Sequence, residues 1–171
     1  LYYYKNEEEF VRKLIVGSLE YTYRKGLYIR HYANIGVLQS EVSDTITKLN
    51  PYFFGDGKNS QRFFTLRYLF KSEHRDVVAY PLHGYEYDIE VVKNGLAFLE
   101  DDVNFSFLTA TARKYWGLGG KWFFAAGLRG KISDNNFQPY YNTAALGYGS
   151  NYVRGYEYYV IDGVVAGYLK A

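Results

Sequence analysis

The chain of 171 residues has no cysteine, no methionine, three histidines and three prolines. Without Cys, disulfides, zinc–thiolate sites and cysteine nucleophiles are excluded, and the redox compartment leaves no mark. His31, His74 and His83 do not form an H-x-x-x-H pair, which gives a transition-metal site little support. The missing Met, with Leu1 at the start, leads to the expectation of a piece of a longer product that has lost its leading part. A net charge of +2 gives no basic footprint, so nucleic acid is not expected as a partner. No apolar run reaches the roughly 18 residues of a membrane helix. The longest, such as Trp122 to Leu128, are strand-length. Gly17-Ser18 and Gly149-Ser150 lack the G-x-S-x-G frame, and Gly117 to Lys121 lacks Walker spacing. No catalytic residue, cofactor or metal is therefore expected, and the chain is read as not an enzyme.

What the chain has in excess is aromatic: 21 Tyr and 12 Phe. Tyrosine favours boundaries where one end of the ring is dry and the other wet. Period-two alternation recurs, and it predicts an all-β, antiparallel fold of seven strands. They are expected over about Phe10–Arg24, Leu27–Gln39, Arg62–Lys71, Tyr85–Asn94, Val103–Tyr115, Lys121–Ser133 and Tyr156–Lys170. In the third, Phe64, Leu66, Tyr68 and Phe70 share one face, opposite Thr65, Arg67 and Lys71. In the fifth, Phe105 and Phe107 have one parity and Leu108, Ala110 and Ala112 the other, as a bulge would produce. Long connections are expected at Glu41–Gln61 and Asp134–Tyr152, and tight turns at Lys25-Gly26 and Gly117–Gly120. Both long connections fall at the same end. A soluble barrel or sandwich and a membrane barrel both explain the alternation. Runs of about 10–15 residues exceed the usual five or six of soluble sheets and lean toward the membrane.

Two constellations carry charge. Glu86, Asp88 and Glu90 share one face of the fourth strand. They are either a lumen wall or the wet face of an ordinary antiparallel strand. Three like charges two residues apart repel, and Arg67, Arg129 or Lys131 on neighbouring strands would relieve them. The second is the stretch Leu146 to Gly163, where Arg154 stands among glycines and tyrosines. A guanidinium cannot lose its proton and, if held inside, needs a fixed acceptor. The alternative is a solvated Arg in a tyrosine-rich surface turn.

Val153-Arg154-Gly155-Tyr156 resembles the VRGF/VRGY loop motif of the BamA/TamA superfamily, the outer-membrane barrels of bacterial surface-antigen type. Leu146-Gly147-Tyr148-Gly149 resembles its glycine-rich lead-in. Arg75-Asp76, Tyr80-Pro81 and Gly84 resemble its R-D…P…G segment before an alternating strand. Order and spacing agree over about Arg62 to Gly163.

The resemblance implies an antiparallel transmembrane sixteen-strand β-barrel in the bacterial outer membrane, preceded by POTRA domains. This chain would supply about strands six to twelve, with the POTRA or other N-terminal domains and the final strands outside it. The motif loop would fold into the lumen, where Arg154 meets an acid on the inner wall. Lumen-facing residues would include Glu86, Asp88, Glu90, Arg67 and Arg129. The function implied is insertion or export of β-barrel or other secreted client proteins. The partners would be outer-membrane lipids, unfolded clients and accessory lipoproteins. A barrel anchor for an upstream patatin-like lipase is the alternative, ahead of a passive channel or a soluble ligand-binding barrel.

Overall fold

The computed structural model describes residues 11–96, 103–134, 138–146 and 161–171. Within them lies one open antiparallel sheet. Its strands are β1 (Arg12–Lys25), β2 (Ile29–Val42), β3 (Ser60–Glu73), β4 (Gly84–Asn94), β5 (Phe105–Gly119), β6 (Trp122–Ser133) and β9 (Val165–Lys170). They pair in the order β1-β2-β3-β4-β5-β6-β9. A second pair, β7 (Ala144–Leu146) and β8 (Ile161–Asp162), stands apart. Among the described residues no helix is long and apolar enough to cross a membrane, a test that does not bear on membrane strands.

The alternation in the sequence becomes a two-faced sheet because paired residues share a face. One row crosses all seven strands without interruption: Tyr21, Ala33, Tyr68, Val91, Leu108, Ile132 and Val165. Its members other than Ala33 are between 40 and 69 % exposed. Leu19, Ile35 and Leu66 form a row on the loop side, and Tyr87, Ala112, Leu128 and Leu169 one on the turn side. The opposite face is charged. Its rows include Arg24, Arg30, Lys71, Asp88, Thr111 and Arg129, and next to it Glu73, Glu86 and Arg113.

The small apolar core lies on the charged face, at the end with the long connections. Phe63, Val103 and Phe105 are buried there against Leu38 and Phe107. This corrects the bulge expected within Val103–Tyr115. The β4–β5 register runs unbroken from Asn94↔Phe105 to Gly84↔Tyr115, and the irregularity lies at Gly117/Gly119 instead. Phe105 and Phe107 point away from Leu108, Ala110 and Ala112 because they serve this core.

Two further expectations change. The 41–61 connection contains a helix, α1 (Asp44–Leu49), too short for its periodicity to register in sequence. The expected final run Tyr156–Lys170 is two strands among the described residues. Gly163 separates β8 from β9, and its N–H donates to Thr143 O at 2.9 Å. The segment 138–143 packs on the 52–53 backbone, Tyr140 N–H to Tyr52 O and Tyr141 N–H to Phe53 O, each 3.1 Å.

Candidate functional site

The charged face carries a ladder of ion pairs whose spacing follows from the register. Glu73 on β3 stands directly across from Glu86 on β4. Two carboxylates so placed repel one another. Arg75, just past the end of β3, folds back between them. Its Nε and Nη2 donate to Glu73 at 2.5 and 2.7 Å, and Nη2 lies 2.9 Å from Glu86 Oε2. From the other side Arg113 Nη1, directly opposite on β5, donates to Glu86 Oε1. Glu86 is only 3 % exposed, so two guanidinium forks surround a buried carboxylate. The hydrogen bond to Glu73, with the nearby Glu86 charge, holds the Arg75 guanidinium even above its ordinary high pKa.

Higher up the sheet, Arg67 Nε meets Glu90 Oε1 at 2.5 Å, and its Nη1 lies 3.5 Å from Glu20 Oε2. One guanidinium thus ties β3 to both β4 and β1. Asp88 is opposite Thr111, which in turn is opposite Arg129 and accepts its Nη1 at 3.3 Å. The three residues form a carboxylate–hydroxyl–guanidinium row. Lys131, expected to relieve the carboxylates, does otherwise. Its Nζ donates to Ala144 O at 2.5 Å and lies over the Phe107 ring. Among the described residues no group of three or more His, Asp or Glu is set to hold a metal.

The β3–β4 turn is built to aim Arg75. Asp76 Oδ1 accepts N–H bonds from Val77 at 2.9 Å and Leu82 at 3.1 Å. Desolvation opposes its ionisation, but these donors outweigh that and keep its carboxyl below the usual value. Gly84 closes the turn at φ +102°, and a Cβ there would lie 2.1 Å from His74 O. Only glycine fits such a position. The His74 ring is stacked between Tyr28 and Tyr85, at 4.4 and 4.7 Å.

The sequence reading named Glu86, Asp88, Glu90, Arg67 and Arg129, and all five lie on the charged face. It missed Arg113 as a partner, because the changed parity of β5 concealed which of its residues face β4. It also missed Glu73 and Glu20, whose roles depend on which strands are neighbours. Gly147, Gly149, Val153, Arg154, Gly155 and Tyr156 lie outside the described residues. Leu146 ends β7 and pairs with Ile161, and Ala144 pairs with Asp162, so the two ends of the intervening segment are held side by side. Through Lys131 that stem is fixed to the charged face.

Compared with protein-family models, the chain matches none, and no significantly similar curated protein is found.

Proposed function

We propose that this sheet is a wall section of a transmembrane β-barrel in the bacterial outer membrane, and that the whole protein inserts or exports other proteins there. The observation that carries the first half is the unbroken exposed apolar row from Tyr21 to Val165, backed by a face on which the acids and arginines pair. A lipid-facing barrel surface needs such a band, and a polar lumen needs such a lining. Along single strands the band runs from Phe64 to Phe70 and from Phe124 to Ile132, ~20–26 Å at about 3.3 Å per residue. Arg62 lies beyond it on the loop side of β3, while Lys93, opposite Leu66, and Lys114, opposite Ala126, stand on the same face at its margins.

Strands β1 and β9 each pair on one side only among the described residues. Open edges are untenable in hydrocarbon, so the reading requires further strands to close the wall. Sixteen strands, and the assembly or export role, follow from the resemblance of the VRGY and R-D…P…G segments. Its clients would be unfolded β-barrel or secreted proteins, guided by strand addition at a seam outside this chain. Accessory lipoproteins would assist. Arg154 would lock its loop to an acid of the lumen wall, and the anchoring of the loop's stem by Lys131 favours that placement.

The test is client insertion by the complete protein and its Arg154→Ala variant in native membranes. The reading expects detergent-dependent extraction, heat-modifiable migration, and loss of insertion in the variant. Release by alkaline carbonate alone would refute the membrane barrel. Unchanged insertion and migration in the variant would refute the role of Arg154.

A further inference from the structure

On the apolar face near the short turns lies a groove of about 470 Å³. Two rows of the register make it. One is Tyr85, Lys114 and Ala126, and the other is Tyr87, Ala112, Leu128 and Leu169. Ala112 and Ala126 are the floor, because their methyl groups leave a depression between larger neighbours. The stacked rings of Tyr85 and Tyr87, 6.1 Å apart, wall one side. Trp116, stacked on Phe124 at 5.4 Å, closes the turn end. Leu128 and Leu169 wall the other side.

The rim is cationic. Lys114 is exposed, with Nζ 5.4 Å from the centre of the Trp116 ring, and no carboxylate pairs with it among the described residues. The acids of this end are engaged elsewhere: Glu73 and Glu86 on the opposite face, and Asp76 by its own turn. An apolar slot under a tryptophan, with one free ammonium at its mouth, is complementary to an acyl chain that ends in a phosphate.

We infer that this groove binds one anionic phospholipid, its acyl chain over Ala112 and Ala126 and its phosphate on Lys114. The inference rests on the membrane-barrel reading above. A surface lysine favours an anionic headgroup about fivefold.

The test is quenching of Trp116 by brominated lipids. The complete protein, with every other tryptophan including Trp122 replaced by phenylalanine, is reconstituted in phosphatidylcholine vesicles containing one-fifth phosphatidylglycerol. Bromine is placed on the acyl chains of either lipid. Brominated phosphatidylglycerol is expected to quench Trp116 about fivefold beyond its share of the bilayer. Lys114→Gln should bring quenching back to that share, and Ala126→Leu should reduce it with both lipids. Quenching that follows lipid share before any substitution at Lys114 would overturn the lipid site, whatever the variants do. Absence of quenching by either lipid would instead overturn the membrane-barrel reading.

Discussion

Glu73 and Glu86 stand directly opposite one another on β3 and β4, and the guanidinium of Arg75 sits between their carboxylates. The pairing makes a repulsive contact into a bridge that ties the β3–β4 turn to the sheet. Arg113 completes the shell around Glu86. Removing one member of such a buried set leaves uncompensated charge, which costs far more than an exposed pair is worth.

Glu86→Gln is therefore expected to destabilise the folded protein by about 2 kcal/mol, because Arg75 and Arg113 lose their shared negative charge while Arg75 keeps Glu73 and Arg113 keeps contact with water. Urea unfolding in micelles measures this. Adding Arg113→Gln to Glu86→Gln should recover part of the loss, which a merely steric effect of the first substitution would not allow.

Gly84→Ala is expected to cost at least about 2 kcal/mol, since a positive φ and contact with His74 O act together. The same unfolding experiment checks it. The turn would open first, so amide exchange at Val77 and Leu82 should rise more than at β2.

The two faces should tolerate added charge unequally. Ile89→Arg lies in the exposed apolar band and is expected to cost about 2–4 kcal/mol in a bilayer. Thr22→Arg lies on the charged face between Glu20 and Arg24, and should change stability by less than about 0.5 kcal/mol. Refolding into vesicles under urea compares them.

As Asp76 does in the β3–β4 turn, Asp134 should respond to acid. Its carboxylate accepts the Ser106 N–H at 2.7 Å, and that bond holds its pKa below the ordinary value. A depressed folded-state pKa gives stability that is present above the unfolded value, ~3.9, and lost as pH falls through the folded one. Asp134→Asn should therefore flatten the stability curve below about pH 4 and leave its slope near neutrality unchanged, as read by unfolding across pH.

Much of the sheet was legible in the sequence, for a physical reason. Seven strands with one apolar and one polar face need alternation, and β2, β3, β4 and β6 keep it over most of their length, broken where Leu38, Phe63, Leu69 and Val92 turn apolar side chains to the charged face. The row Glu86, Asp88, Glu90 was legible on the same ground. Their partners were less so. Arg113 faces Glu86 only because the β4–β5 register sets it there, and register depends on turn geometry and on core contacts such as Phe63 with Phe105. Arg75 was visible as part of a motif, but its fold-back between two acids depends on the turn that Asp76 and Gly84 make. The helix Asp44–Leu49 is too short to imprint a period.

The central claim is that the Tyr21–Val165 face meets lipid while the Glu86–Arg67 face meets water. This chain has no cysteine of its own, so single cysteines can be placed along β3 and β4 and spin-labelled in the complete protein in vesicles, with any cysteine outside this chain replaced by serine. Labels at Leu66, Tyr68, Ile89 and Val91 should collide readily with oxygen and poorly with a water-soluble nickel reagent. Labels at Thr65, Leu69, Asp88 and Glu90 should show the reverse, giving a period of two along each strand. Equal access of the nickel reagent to both faces would contradict the account.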